Sequence, residues 1–99
     1  MTTRYKVYIT KNAQEDLEHI FHYIAADSPQ NASNFILEIE QKIMTLEQFP
    51  ERNPLIPENQ YFATQYRHLL FQKYRIFYRI ETHVVYILKI LRGAQLYTV

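Results

Sequence analysis

What most limits the folds open to this chain is a change of hydrophobic period part-way along it. From Ala13 to Leu46 the apolar residues recur every three or four positions, and from Tyr66 to Leu91 they alternate in twos. Helices followed by strands, each set contiguous in the chain, make an α+β arrangement in which a helical layer covers one face of a sheet. Ninety-nine residues suffice for one such core, so residues 1–99 are read as a single domain.

The helical half reads in detail. Ala13, Leu17, Ile20, Phe21 and Ile24 form the stripe of a first helix, opened by Thr10 or Asn12 as cap and ending near Asp27, with Glu15, Asp16 and Glu18 as solvent positions. Ser28-Pro29 is the clearest local signal. Serine caps an orphan amide, and proline in the first turn has no intrahelical hydrogen bond to lose. Ala32, Phe35, Ile36, Ile39, Ile43 and Leu46 then share one stripe, which stops at Phe49-Pro50 because the residue before proline is pushed out of helical geometry. The short link at Ser28 makes the two helices an antiparallel hairpin.

A strand precedes them, with Tyr5, Val7 and Ile9 on one face of residues 5–10, and Lys6 and Tyr8 on the other. Residues 50–65 hold three of the four prolines and read as an extended surface loop. Three strands follow at 66–71, 74–80 and 84–91, joined by short turns into an antiparallel meander. The expected order is β-α-α-β-β-β, with the hairpin packed on a curved antiparallel sheet. On the middle strand Tyr74, Ile76, Tyr78 and Ile80 alternate with Arg75, Phe77 and Arg79, so Arg75 and Arg79 are expected to point away from the helices. Arg92 keeps parity with Val84, Tyr86, Leu88 and Ile90, and its face depends on the register.

Composition removes several functions. The chain has no cysteine and only one glycine, Gly93, which excludes disulfides, thiolate metal sites and glycine-rich phosphate loops. His19 and His22 lie three apart on the first helix without a further ligand, so no metal and no cofactor are expected. MTTRYKVYIT lacks the apolar run of a signal peptide, and no segment reaches membrane-spanning length; the expected location is the cytoplasm. Charge divides sharply. Residues 1–66 carry five cations against nine acids, net −4, and residues 67–99 carry six cations against Glu81 alone, net +5. The basic half suits nucleic acid or an acidic protein surface. A metal-free ribonuclease would need a base, an acid and cations around one phosphate. The cations are present, but Tyr97 and His68 are the only proton-transfer candidates in that half.

These pieces in their order resemble the RelE/ParE superfamily of bacterial toxin–antitoxin toxins. They are Ala13 with Asp16-Leu17, Tyr23-Ile24 with Ser28-Pro29, Ala32 with Phe35, Leu46 with Pro50, Tyr66-Arg67, Tyr74-Arg75-Ile76 with Tyr78-Arg79, and Ile87 to Gly93. The resemblance covers nearly the whole chain and implies the same strand–helix–helix–meander fold. It implies a toxin neutralised by a cognate antitoxin, with no membrane and no small-molecule substrate. In the RelE-like branch the target is messenger RNA on the ribosome, and Arg75, Arg92 and Tyr97 would form the catalytic set of an endonuclease. In the ParE-like branch the target is DNA gyrase, and Arg92-Gly93-Ala94-Gln95 stands where that branch has a histidine-glycine-alanine-arginine tetrad, with two departures. The helical half and Ser28-Pro29 favour ParE. The expected target-binding residues are then Arg75, Arg79, Arg92 and Tyr97, and the expected antitoxin-binding residues Phe21, Tyr23 and Tyr78. A third reading is an inactive toxin-fold module that binds its antitoxin and aids autoregulation.

Overall fold

The computed structural model describes residues 4–57 and 65–93. Strand β1 (Lys6–Ile9) leads into helix α1 (Lys11–Ala25) and helix α2 (Pro29–Met44), and strands β2 (Arg67–Phe71), β3 (Tyr74–Glu81) and β4 (Val84–Arg92) close the chain. The expected element order holds throughout. The four strands form one sheet in the order β1-β4-β3-β2. The meander is antiparallel as expected, but the sheet as a whole is mixed, because β1 lies parallel to β4, with Val7 opposite Val85 and Ile9 opposite Ile87. The helical hairpin is the crossover that makes a parallel neighbour possible.

Both helices begin where their side chains can cap them. Thr10, not Asn12, caps α1. Its hydroxyl accepts from the Ala13 amide at 3.4 Å and donates to the Ile87 carbonyl of β4 at 2.6 Å, so one side chain both starts the helix and fixes it to the sheet. Ser28 Oγ accepts from the Asn31 amide at 3.2 Å, with Pro29 in the first turn of α2. Regular helix ends at Met44, and a 3-10 turn at Thr45–Glu47 carries the chain on toward Phe49, whose φ of 53° lies in the left-handed region.

The core is the meeting of the predicted faces. Ala13, Leu17 and Ile20 of α1 and Ile39 and Ile43 of α2 pack on Leu69, Ile76, Tyr78, Val85, Ile87 and Ile90 of the sheet. Each large side chain so buried contributes about 1.5–3 kcal/mol relative to exposure. The segment after α2 is not wholly a surface loop. Pro50 and Ile56 are buried. Arg67 donates to the carbonyls of Glu51 and Asn53 at 3.1 and 2.6 Å, and Leu55 forms an isolated antiparallel bridge with Arg67.

One irregularity decides how the functional side chains are distributed. The β3–β4 register slips between Phe77 and Tyr78: Phe77 faces Lys89 but Tyr78 faces Ile87, leaving Leu88 as an extra residue. Such a bulge reverses the alternation of the strand beyond it. Ahead of it Val85 and Ile87 point into the core, and after it Ile90 does.

Candidate functional site

Three surfaces hold the residues that chemistry singles out. The first is the sheet face turned away from the helices. There Arg79 lies over the Tyr86 ring at 4.4 Å and pairs with Glu81, while Tyr86 meets Tyr8 of β1 edge to face at 5.9 Å. Direct registry makes this a row: Tyr8 opposite Tyr86, and Tyr86 opposite Arg79.

Arg75 belongs to the same face but not to an exposed one. It is only 7% exposed, stacks on the fully buried Phe77 ring at 4.5 Å, and donates from Nε to His68 Nδ1 at 3.1 Å. The expected open arginine surface is thus corrected at Arg75. Its guanidinium is sandwiched among side chains because Phe77, pointing the same way, needs cover and a planar cation provides it. His68, which stands isolated in the sequence, is brought by β2 to its partner. In that hydrogen bond Nδ1 is the acceptor.

Arg92 stands elsewhere. Beyond the bulge it is opposite Tyr74 and lines a groove of about 390 Å³ on the helix-bearing side, with Asp16, His19 and Tyr23 of α1. Tyr23, 71% exposed, forms its outer wall. Asp16, a solvent position by its sequence, is mostly covered. Its carboxylate accepts from Lys89 Nζ at 3.0 Å and from the Ile90 amide at 2.9 Å. The available signal was its place beside Leu17 and Ile20 on the margin of the apolar stripe.

The third surface is a groove of about 380 Å³ lined by Ile9, Gln14, Leu17, Glu18, Phe21, Ile36 and Glu40. Phe21 and Tyr23 therefore open onto different grooves. Tyr78, expected at an antitoxin interface, lies fully buried in the core and donates its hydroxyl proton to the Pro50 carbonyl. Burial pushes its pKa above the usual tyrosine value, against a smaller opposing pull from Asn53 and Arg67. It holds the 50–53 segment to the sheet and is not a surface contact. Tyr97 and the residues Ala94-Gln95 lie outside the described residues. Among the described residues no group of three histidines or acids is placed to hold a metal, and no helix is long and apolar enough to cross a membrane.

The arrangement matches proteins already known. The profile of the ParE toxin of type II toxin–antitoxin systems matches residues 7–97. The chain belongs to the ParE toxin family. No curated protein sequence matches it. Among solved structures, it is similar to a chain of the chromosomal ParDE toxin–antitoxin system from P. aeruginosa, with a TM-score of 0.75 at 21% identity, covering 92% of this chain and 98% of that one. It is also similar to a chain of the RelBE2 toxin–antitoxin complex from Mycobacterium tuberculosis, with a TM-score of 0.59 at 25% identity, covering 96% and 98%. Within this ParE-family toxin the helical hairpin, the capping serine and the meander stand as the superfamily resemblance implied. The basic residues of the second half are divided between two faces of the sheet.

Proposed function

We propose that this ParE-family toxin inhibits DNA gyrase and is held in check by a cognate antitoxin. The observation that carries this reading is the division of the cations. A ribonuclease must gather its base, acid and positive charges about one scissile phosphate. Here Arg92 faces α1 while Arg75 and Arg79 lie on the opposite side of the sheet, and Arg75 is buried against Phe77. Cations so placed serve two separate docking surfaces better than one phosphate. Arg79, with Tyr8 and Tyr86, supplies the target-facing surface, and Tyr23, with Arg92, supplies a second. The antitoxin covers the apolar flanks at Phe21 and Tyr23.

A ribosome-dependent ribonuclease is the second reading, favoured by the His68–Arg75 hydrogen bond, which joins an imidazole to a guanidinium on a basic face. The experiment that separates them is a supercoiling and cleavage assay with purified gyrase, beside primer extension on transcripts from cells expressing the toxin. The gyrase reading expects trapped cleaved DNA, intact messages and full toxicity of Tyr97→Phe. Codon-positioned cuts, supercoiling left unaffected and a loss of orders of magnitude in Tyr97→Phe would replace it with the ribonuclease. Antitoxin binding with neither activity would support the inactive module.

A further inference from the structure

In the half of the chain whose net charge is −4, two of the five cations, Lys42 and Arg52, converge on a groove of about 280 Å³ at the C-terminal end of α2. Among the described residues no acid lines it. The acids near it in the sequence are engaged elsewhere. Glu47 pairs with Arg4 at 4.0 Å, and Glu51 accepts from the Tyr5 hydroxyl at 3.2 Å. Glu38, one turn before Lys42, lies outside the groove, and among the described residues neither Lys42 nor Arg52 has a carboxylate partner. A concave site lined by one sign of charge gathers ions of the other.

The groove is built from fixed parts. Leu46 and Leu69, both buried, form its apolar floor. Leu69 belongs to the core between helices and sheet, so the groove lies on the helix-bearing side, away from Arg75 and Arg79. The backbone around Arg52 is held by Tyr78 at the Pro50 carbonyl and by Arg67 at the Glu51 and Asn53 carbonyls. Phe49 forms a wall. Its φ of 53° is costly for a residue with a side chain, and backbone of this kind recurs at ligand clamps. The ring is 48% exposed, with the Arg52 guanidinium over its centroid at 4.3 Å. That stack positions the guanidinium and leaves ring surface for a further planar group.

We propose that this groove binds a phosphate monoester carried on a planar ring, the chemistry of a nucleoside monophosphate. Lys42 and Arg52 flank the dianion, Arg52 through its forked donors and Lys42 as a point charge. The ring of the ligand packs on the exposed part of Phe49, and the Gln48 amide offers its edge a donor and an acceptor. A ligand so held ties the end of α2 to the 50–53 segment, so its binding stabilises the folded chain. The inference is independent of the toxin's target and of its antitoxin.

The probes are adenosine monophosphate, adenosine and inorganic phosphate, titrated into the full chain and followed by amide chemical shifts and thermal unfolding. Expected is saturable binding of adenosine monophosphate, weaker binding of the other two, shifts centred on Lys42, Gln48 and Arg52, and a Tm that rises with ligand concentration. Lys42→Gln and Arg52→Gln should each weaken binding roughly tenfold, the loss of one hydrogen bond to a charged group. Phe49→Leu should weaken adenosine monophosphate more than inorganic phosphate. All three side chains are exposed, so these variants should keep the circular dichroism of the parent. Lys11→Gln, which removes an exposed cation elsewhere, should leave binding unchanged. The proposal is overturned by the absence of saturable shifts at these residues, by shifts confined to the Arg75–Arg79 face, by an equal loss in Lys11→Gln, or by unchanged affinity in Lys42→Gln and Arg52→Gln. Tighter binding at the same residues of an unphosphorylated thymidine pentanucleotide, which carries only diesters, would overturn it in favour of a strand's backbone. Tighter binding of a glutamate-rich peptide would overturn it in favour of an acidic protein.

Discussion

Asp16 is the side chain through which α1 grips β4, and its removal should cost more than that of any other surface-proximal acid. Its carboxylate accepts one backbone amide, Ile90 at 2.9 Å, and one ammonium, Lys89 at 3.0 Å. The amide bond to a charged acceptor is worth about 1.5–3 kcal/mol. The ion pair adds less, about 0.5 kcal/mol, because the Lys89 side chain is more than a third exposed and solvent screens it. Alanine returns about 0.5 kcal/mol through its better helix propensity. Asp16→Ala should therefore destabilise by about 1.5–3 kcal/mol, a fall in Tm of roughly 6–24 °C for a domain of this size. Asp16→Asn keeps an oxygen for the Ile90 amide and loses the charge, so it should cost about 1 kcal/mol. Lys89→Gln should cost about 0.5 kcal/mol. Urea unfolding of the three variants, followed by circular dichroism and analysed with a common slope, measures the order. If Asp16→Ala proves no worse than Lys89→Gln, the amide bond contributes nothing and the assignment of α1 docking to Asp16 is wrong.

Two further outcomes follow from the same contacts. Tyr78→Phe leaves the Pro50 carbonyl without its donor and should cost about 1–3 kcal/mol in urea unfolding. Because burial raises the folded-state pKa of Tyr78, the unfolded chain releases that proton first as pH passes about 10. The contribution is whole below that pH and is lost above it, so parent stability should fall more steeply than that of Tyr78→Phe as pH rises above about 10; parallel curves would refute the linkage. Thr82 holds φ at 55° in the β3–β4 turn, a region costly for a β-branched residue. Thr82→Gly should raise stability by about 1 kcal/mol in thermal unfolding, and a loss would show that the Thr82 side chain makes a contact that outweighs its backbone strain.

The sequence disclosed what is local. Ser28-Pro29 states a cap and a first turn within two residues, and the stripes at Ala13–Ile24 and Ala32–Leu46 fix which helical faces turn inward. The alternation of β3 likewise sorted Ile76 and Tyr78 into the core and Arg79 out of it. What it did not disclose is non-local. The parallel pairing of β1 with β4 joins residues about eighty positions apart and leaves no mark in β1 itself. Asp16 meets partners 73 and 74 residues away, and by periodicity alone it is an exposed acid. Arg75 alternates correctly, yet the face it points to is covered at that point by Phe77 and His68, which no pattern within β3 announces. Tyr78 alternates onto the core face as its strand predicts, but the interior carbonyl that its hydroxyl serves lies 28 residues away, and nothing in β3 announces it.

The bulge at Leu88 ties these observations to function. Strict alternation would place Arg92 with Val84 and Tyr86, on the face of Arg79, and would assemble three arginines over one surface. One additional residue in β4 reverses the parity beyond Ile87. Arg92 is thereby delivered to α1, beside His19 and Tyr23. No glycine or proline marks the site, so the shift is visible only in the pairing with β3. Its consequence is chemical. Electrostatic stabilisation of a phosphorane requires charges preorganised around one point, and side chains on opposite faces of a sheet cannot share that point. The same division suits the reading proposed above, in which target and antitoxin are engaged through different surfaces, one on the Tyr8–Tyr86–Arg79 row and the other on the flanks of α1.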